Sequence, residues 1–579
     1  MSVALKRTIT RRDFVKSMEQ KIKNWIKETL EMEGDFILMH PKDIKNGDYT
    51  FVSSPENGKE DLEKLKKNKL AEIEKIEIVG RFINFYLSRQ FFAKSIEEIV
   101  NQGENIGRND IRKGEKIMVE YTDPNPFKPF HIGHLMTNAI GESIARILEH
   151  SGASVARANY QGDIGLHVAK AIYGLLQNEN LQNKIVSIPM QSANIGKAYV
   201  SGAEAYETDE KAKAEIDEIN KKLYVRDDEK INAIYSWGFD ATMEAFEGIY
   251  KMLGTKFEFY FLESAMADIG RDIVNANMEK LGPDSGAGIF EESDGAIVFK
   301  AEKHDPKLHT RVFITSQGLP TYETKELGLT EEKFKTNPDM NLSIMITANE
   351  QADYMRVVFK AISLIHPNFE NRMKHITHGM MRFVGGKMSS RKGNVITGES
   401  LLNDARSAIM EIIKDRDVPV TEKERIATDV GVSAVKYSIL KQSIGGDIIY
   451  DFEKSICFDG DSGPYLQYSY ARANSILEKA QKENILPDFN VIPEEIFEVE
   501  KLLYRFPEIV FRSATEYEPH YITNYLIEVA RSFNSFYGNT LVVNKEDKTS
   551  SYKVALTYAY TFVLKTGLHL LGIRAPEKM

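Results

Sequence analysis

The chain has little of the residue types that mark secreted, zinc-binding or membrane-spanning proteins. Its 579 residues include one cysteine, Cys457. This excludes a disulfide framework and a multi-cysteine zinc site, and it fits a reducing compartment. No apolar run reaches the roughly 18 residues that a transmembrane helix needs, so the sequence predicts none. Residues 1–25 lack the apolar stretch of a secretory signal, and we therefore expect a cytoplasmic protein without a membrane partner.

An excess of positive charge is also missing, since the formal net charge is −10. This does not exclude a nucleic-acid partner, because a local basic face is sufficient for phosphate contacts. Residues 1–25 contain seven basic and two acidic side chains. That local excess fits either a solvated helix face or an RNA contact.

The pattern of apolar residues predicts several domains, as the length of the chain requires. A buried strand over residues 116–121 is followed by a loop and a helix over 135–150, which is the opening of a doubly wound α/β domain. Before it we predict a helix over 13–30, a strand over 76–87 and a helix over 91–100. Further strands are predicted after the loop, over residues 155–160, 257–261, 288–300, 311–315, 342–347 and 378–384. After residue 395 the periodicity is almost wholly helical, and residues 211–231 form a nearly continuous charged helical stretch.

Two short strings, 256 residues apart, carry most of the functional information: His131-Ile132-Gly133-His134 and Lys387-Met388-Ser389-Ser390-Arg391-Lys392-Gly393. The first lies where a strand feeds a helix, so backbone N–H groups and the positive helix end face a phosphate. Gly133 leaves room for a nucleotide ring, and both histidines can donate to phosphate oxygens. A metal site built on His-x-x-His is the alternative. No glutamate follows in the H-E-x-x-H manner and no third ligand is evident.

The two strings together resemble the ATP-binding signatures of class I aminoacyl-tRNA synthetases. Their flanks, Val119-Glu120-Tyr121-Thr122-Asp123-Pro124-Asn125 above all, resemble the arginyl-tRNA synthetase family. The resemblance implies a multidomain α/β protein: a Rossmann-type nucleotide-binding domain with a helical insertion, an N-terminal α+β additional domain that meets the tRNA elbow, and a C-terminal all-α anticodon-binding domain. The boundaries predicted for these parts are 1–105, 106–395 with the insertion at about 168–252, a helical link at 396–455, and 456–579.

In this family a mobile lysine-bearing loop clamps the leaving pyrophosphate, which assigns Lys387, Met388 and Ser389 to ATP. The usual second lysine of that loop is Ser390 here. The resemblance offers Lys128, three residues before His131, as its replacement, and Lys392 is a second candidate. Where the family has Asp-Trp-Gly, the chain has Asp163-Ile164-Gly165, so we assign that string no role.

The resemblance also implies an arginine pocket, and fixed carboxylates are what a guanidinium requires. Tyr322 and Glu326 are four residues apart, which places ring and carboxylate on one face of a helix. Many family members have aspartate where this chain has Glu326, which leaves the guanidinium geometry open. The residues assigned to the amino acid are Glu120, Asn125, Glu263, Tyr322, Glu326 and Gln351.

The expected activity is formation of arginyl-adenylate from arginine and ATP, followed by transfer to the 3′-terminal adenosine of tRNA(Arg). In the family the first step needs tRNA. Mg²⁺ would enter with ATP, and we expect no protein-bound metal and a monomer. Further matches lie at residues 80–87, 461–468, 533–537 and 568–579; among them we expect Tyr537 to be available to a base and Phe533 and Phe536 to pack the helices.

Two other functions remain open at this point. One is a class I synthetase for another amino acid, which three candidate carboxylates and the absence of cysteine clusters disfavour. The other is an inactive paralogue that binds RNA, which the intact His131, His134 and Lys387 disfavour. ATP–pyrophosphate exchange with each amino acid, with and without tRNA, separates all three.

Overall fold

The structure is a computed structural model that describes residues 18–53, 57–278, 288–384 and 396–579. It divides into two compact units. One comprises the described residues up to Lys113 together with His150–Gly152 and Cys457–Met579, and the other comprises Gly114–Glu149 and Ala153–Ile456. Among the helices described, none is long and apolar enough to cross a membrane.

The N-terminal part of the first unit is a four-stranded antiparallel sheet with strand order β1-β2-β4-β3. Trp25 and Phe51 pack on Phe85 in its core, with ring centroids 5.6 and 5.9 Å from that of Phe85. The elements are α1 (Met18–Leu30), β1 (Leu38–Met39), β2 (Tyr49–Val52), α2 (Gly58–Lys67), β3 (Ile73–Val79), β4 (Phe82–Leu87) and α3 (Arg89–Gln102).

The single strand predicted over residues 76–87 is wrong, because the chain reverses in its middle. Gly80 has a φ of +63°, a conformation that glycine adopts at little cost, and β3 and β4 pair on either side of it. The predicted helix over residues 13–30 is described from Met18 onward, and residues 1–17, with most of the basic cluster, lie outside the described residues.

The second unit is built on a five-stranded parallel sheet with strand order β12-β11-β5-β6-β7. Its central strand carries Ile117, Met118 and Val119, which are all buried, as a parallel strand covered on both faces requires. The strands of this unit are β5 (Lys116–Glu120), β6 (Ser154–Gln161), β7 (Phe259–Leu262), β8 (Glu291–Ser293), β9 (Ala296–Phe299), β10 (Arg311–Ile314), β11 (Leu342–Ala348), β12 (Met373–His378), β13 (Met381–Phe383) and β14 (Ile448–Tyr450).

Helices connect and cover these strands. Four of them, α5 to α8, lie between β6 and β7 and pack around a core of their own that includes Ile172, Ile195 and Ile216. The helices are α4 (Ile132–His150), α5 (Leu166–Gln177), α6 (Ile188–Thr208), α7 (Glu210–Val225), α8 (Glu229–Leu253), α9 (Glu263–Ala276), α10 (Tyr322–Thr336), α11 (Ala352–Ile365), α12 (Gly398–Ile413), α13 (Val420–Leu440) and α14 (Phe452–Ser455).

Four predicted segments of this unit differ from the structure. The strand predicted over residues 288–300 is two antiparallel strands, β8 and β9, joined by a turn at Asp294 and Gly295. The helical stretch over residues 211–231 is broken at Arg226, whose φ is +58°. The strand predicted over 378–384 is wrong in its bounds: β12 ends at His378, and β13 belongs to a separate two-stranded sheet with β14, which also interrupts the helices expected after residue 395. β12 lies at the sheet edge and five of its six residues are half-buried, so it has no apolar run to mark it.

The C-terminal helices complete the first unit. They are α15 (Gly463–Lys482), α16 (Glu498–Leu503), α17 (Phe506–Glu516), α18 (His520–Asn539) and α19 (Ser550–Leu570). Arg89 of α3 forms a bidentate ion pair with the buried Glu500 of α16, with N–O distances of 2.8 and 2.5 Å, and Tyr552 of α19 bonds to both. On α18, Phe533 and Phe536 are buried while Tyr537 is exposed, as expected.

Candidate active site

A cavity of about 490 Å³ opens at the carboxyl ends of β5, β11 and β12, the edge where parallel α/β sheets bind ligands. Lys128 is not among the residues that line it, and Lys387, Met388 and Ser389, like Ser390 and Lys392, lie outside the described residues. The structure brings the other nine predicted residues together in its wall: Glu120, Asn125, His131, Gly133, His134, Glu263, Tyr322, Glu326 and Gln351.

The two histidines of the first motif form a stacked pair at the start of α4, with ring centroids 3.3 Å apart. The backbone N–H of His131 donates to Nδ1 of His134 at 3.2 Å, and the N–H of His134 donates to Nδ1 of His131 at 3.4 Å. Because each Nδ1 accepts, each ring carries its proton on Nε2.

Both rings are neutral near pH 7. Desolvation and the nearby Lys128 lower the pKa of His131 to about 4, although part of its ring stays accessible to solvent. Burial, His131 and Lys128 lower the pKa of His134 well below its usual value. Together with the amino-terminal end of α4, the two Nε2–H groups form an uncharged set of donors suited to phosphate oxygens. Within the described residues, no group of three His, Cys, Asp or Glu side chains is arranged to hold a metal.

Lys128 precedes this pair by three residues in the chain. Its ammonium lies 5.3 Å from the centre of the Tyr199 ring, and desolvation and the nearby Lys170 lower its pKa. Its charge in turn depresses the pKa of both histidines. Lys128 therefore influences the histidine pair electrostatically although it does not line the cavity.

The loop between β5 and α4 is held in a strained conformation that the sequence did not reveal. Thr122 has a φ of +82°, which is rare for a β-branched residue and costs about 1–3 kcal/mol. Asn138 Nδ2 donates to Thr122 Oγ1 at 3.0 Å, and Thr255 Oγ1 donates to Asn138 Oδ1 at 3.1 Å. These bonds fix the loop that carries Asp123 and Asn125 into the cavity.

The cavity wall is also rich in acidic side chains, but its three predicted carboxylates are not equivalent. Glu120 forms an ion pair with the buried Lys333, and Glu263 forms one with the buried Lys325. Glu326 is buried as well, and its Oε2 has no hydrogen-bond partner among the described residues. Neither lysine was identified from the sequence, because each pairs with an acid distant from it along the chain.

Glu326 is therefore the acid that a cationic ligand would satisfy best. Burial and the nearby Glu120 raise its pKa to about 8. Burial and Glu120 also raise the pKa of Asp123, whose Oδ1 accepts the Tyr160 N–H at 2.8 Å. The free site thus holds protons near neutral pH that a bound cation would displace.

We expect the affinity for a guanidinium ligand to rise with pH. The ligand pairs with ionised Glu326, so affinity is lost as pH falls through the pKa of about 8, by about tenfold per unit below it. Calorimetric titration of arginine between about pH 6 and pH 8.5, with tRNA(Arg) bound, measures this slope, and a Glu326→Gln variant should bind weakly with a smaller slope. A pH-independent dissociation constant in the unsubstituted protein would contradict the assignment.

Gly162 and Asp163 position acidic side chains of the wall, although the sequence assigned that string no role. A Cβ at Gly162 would lie 2.1 Å from Asn125 Oδ1 and 3.0 Å from Glu263 Oε2, so only glycine lets these two side chains approach. The buried Asp163 accepts from Ser264 N–H at 2.8 Å and from Tyr235 OH at 2.7 Å. It thereby fixes the start of α9, where Glu263 lies, and joins it to α8 of the helical insertion.

Several aromatic and polar wall residues were also missed by sequence reasoning. Tyr160 and Tyr354 line the cavity, and His378 lies at the end of β12 in the cavity wall. The signal available for Tyr160 was its place at the carboxyl end of a predicted strand. No local pattern marked the other two.

Comparison with known proteins finds family models and relatives that match nearly the whole chain. A family model described as tRNA synthetases class I (R), catalytic domain, matches residues 95–452. A second, the DALR anticodon binding domain, matches residues 466–579. Similar curated relatives include the arginine–tRNA ligase of Clostridium perfringens (strain 13 / Type A), 32% identical over 582 residues with 98% of this chain and 100% of the relative covered. That of Halothermothrix orenii is 31% identical over 512 residues, with 87% of each chain covered.

Solved structures agree on the fold. Thermus thermophilus arginyl-tRNA synthetase superposes with a TM-score of 0.77 at 23% identity, covering 97% of this chain and 100% of that one. The Plasmodium falciparum enzyme gives a TM-score of 0.73 at 19% identity, covering 97% and 99%. The predicted fold class, an α/β class I catalytic domain with a C-terminal helical domain, is confirmed. With a catalytic-domain model that covers more than half of its length and relatives that match it almost end to end, this chain belongs to the arginyl-tRNA synthetase family of class I aminoacyl-tRNA synthetases.

Proposed function

We propose that this chain is an arginine–tRNA ligase that makes arginyl-adenylate and then arginyl-tRNA(Arg). The observation that carries this is the composition of one cavity wall. The wall contains both a pair of neutral histidine donors and the carboxylate of Glu326, whose Oε2 lacks a hydrogen-bond partner in the described structure. Such a cavity accepts a triphosphate and a cationic side chain at the same time.

The first step follows from this arrangement. The carboxylate of arginine attacks the α-phosphorus of ATP, and pyrophosphate leaves. The Nε2–H groups of His131 and His134 donate to the phosphate oxygens as negative charge develops there. The chain supplies orientation and charge stabilisation, and no protein nucleophile is needed.

The amino acid lies against the acidic side chains of the wall. Glu326 receives the guanidinium, and Tyr322 lies four residues before it on the same helix. Asn125 and Gln351, which line the same cavity, bind the α-amino group. Glu263 forms an ion pair with Lys325, and Glu120 forms one with the buried Lys333. Glu326 therefore makes the largest ionic contribution to arginine selection.

The pyrophosphate needs further cations. Lys387, Met388 and Ser389 are assigned to it by the sequence motif, and Lys128 takes the place of the missing loop lysine. Mg²⁺ enters with ATP, held chiefly by phosphate oxygens. A terminal ribose hydroxyl of the tRNA, the 2′-OH in class I enzymes, then attacks the activated carbonyl.

The first compact unit binds the tRNA. Tyr537 is 42% exposed at the edge of an open cavity of about 370 Å³ that Lys479 also lines, and an exposed ring beside a cation is suited to an unpaired base. Residues 80–87, by the family resemblance, face the tRNA elbow. The presence of a single cysteine in the sequence fits the cytoplasm.

Arginine-dependent ATP–pyrophosphate exchange tests this function. We expect exchange to stay at background with protein, ATP and arginine alone, and to appear when tRNA(Arg) is added, because the 3′ end or the anticodon contacts complete the arginine site. Each of the other amino acids, with the same tRNA, is the control.

Two outcomes would contradict the proposal. Exchange driven by another amino acid would move the chain to a different specificity, and RNA binding without any exchange would make it an inactive paralogue. Strong exchange without RNA would retain the ligase but refute the tRNA requirement.

A further inference from the structure

His378 is a buried titratable side chain to which the mechanism above gives no task. It is the last residue of β12, is 3% exposed, and lies in the cavity wall. In the parallel register it is opposite Ala348, the last residue of β11. The ring therefore lies at the sheet edge that carries the rest of the site.

One nitrogen of this ring is satisfied and the other is not. Nδ1 lies 2.7 Å from the carbonyl oxygen of Gly379, and a carbonyl only accepts, so Nδ1 carries the proton. Nε2 has no hydrogen-bond partner among the described residues. A buried acceptor without a partner is uncommon in a native structure and calls for an explanation.

The proton on Nδ1 is held there by the surrounding backbone. A Cβ at Gly379 would lie 2.4 Å from the backbone of Gly446, so two backbone segments pack directly together. The next residue is fixed as well, since Met380 N–H donates to Asp447 Oδ1 at 2.9 Å. Because the Gly379 carbonyl is fixed, Nε2 presents a permanent lone pair, and burial keeps the ring neutral by lowering its pKa.

The wall around His378 suits a flat heterocycle. Met345, Ile346 and Met355 line the same cavity and are buried, and Gly133 of the ATP motif lines it too. Ligand sites are mostly apolar with a few polar groups that fix orientation. Adenine offers its 6-amino group as a donor, whereas guanine offers an oxygen acceptor at that position. A fixed lone pair on Nε2 of His378 attracts the amino group of adenine and repels the oxygen of guanine.

We propose that His378 selects the nucleotide by accepting a hydrogen bond from the 6-amino group of adenine. This rests on the proposed function, and it makes His378 a specificity residue for the nucleotide. Adenine reaches the site from two sources, ATP and the 3′-terminal adenosine of tRNA. We assign the contact to ATP, because His378 shares its cavity with Gly133, His131 and His134.

The test is arginine-dependent pyrophosphate exchange with natural tRNA(Arg), comparing ATP with purine riboside 5′-triphosphate, which lacks only the amino group. The unsubstituted enzyme should lose about tenfold in kcat/KM with the analogue, as for one neutral hydrogen bond. His378→Phe should lose about tenfold with ATP and treat both nucleotides alike. His378→Gln, whose amide oxygen can accept in place of Nε2, should keep a preference for ATP. His378→Leu serves as a second variant without an acceptor, and thermal unfolding of each variant is measured alongside.

Each other result overturns the assignment. An unsubstituted enzyme that uses both nucleotides equally needs no acceptor, and a phenylalanine variant that is slowed equally with both has lost only packing. In a second arm, aminoacylation with ATP compares tRNA ending in adenosine with tRNA ending in purine riboside. If only this preference disappears in His378→Phe, the contact belongs to the tRNA terminus. Absence of any arginine-dependent exchange in the unsubstituted enzyme refutes the proposed function instead, before His378 is tested.

Discussion

Glu326→Gln should weaken arginine binding by about 2–5 kcal/mol, which is at least about 30-fold in concentration. The substitution keeps the shape and removes the charge of the acid whose Oε2 lacks a hydrogen-bond partner in the described part of the cavity. The measurement is exchange over a range of arginine concentrations with tRNA(Arg) present. The half-saturating arginine concentration should rise, while that of ATP stays close to its original value.

Glu323→Gln is the matched control. Glu323 lies on the same helix, is also buried, and is bonded to Arg311, but it does not line the cavity. Glu263→Gln is a less clean comparison, because it leaves Lys325 buried without its partner and lowers stability as well. If Glu326→Gln and Glu263→Gln both leave the arginine dependence unchanged, the pocket lies elsewhere. Lysine and citrulline should be poor substrates, since one lacks the planar fork and the other the charge.

His134→Ala should slow activation by about 10²–10³-fold, the usual loss for one preorganised donor. Arginine affinity should hardly change, because the His134 ring is assigned to ATP and, being neutral, offers no charge to the guanidinium. The initial rate of pyrophosphate exchange at saturating arginine measures the rate of activation. His134→Gln, which keeps an N–H near the position of Nε2, should recover part of the loss. Lys387→Ala, at a residue outside the described ranges, should be as damaging as His134→Ala.

Near-normal activation in both alanine variants would refute the assignment of the two motifs to ATP. A pH profile adds an independent check. The pKa of His131 is about 4 and that of His134 lies well below its usual value, so both rings stay neutral above about pH 5. Loss of activity between about pH 7 and pH 5.5 must then come from other groups, and His134→Gln should show the same profile.

Nine of the predicted residues line one cavity because their motifs adjoin strand ends. Glu120 ends one strand and Asn125 and His131 follow it, and Glu263 and Gln351 follow two others, so the fold gathers them at one edge. The sequence did not predict which acids of the cavity wall are neutralised by ion pairs. Lys325 and Lys333 each neutralise an acid from another element, and such long-range pairs leave no local pattern.

The fold was predicted where apolar periodicity is strong and missed where it is weak. The central strand β5 and helix α4 agree with prediction to within a few residues, because their apolar positions are buried. β12 was misplaced because it is an edge strand of mostly half-buried residues without an apolar run, and the β3–β4 hairpin was missed because one glycine with a positive φ reverses the chain. His378 was overlooked because it ends β12, whose edge position leaves no apolar pattern in the sequence.

The Arg89–Glu500 pair has a consequence for the size of substrate that the protein can accept. It joins the N-terminal sheet region to the C-terminal helices within one compact unit, and its acid is fully buried, so separating the two is costly. The surface proposed for the tRNA elbow and the surface proposed for the anticodon are therefore held at a fixed spacing. We expect an RNA of a different span to engage only one of them, whatever its sequence.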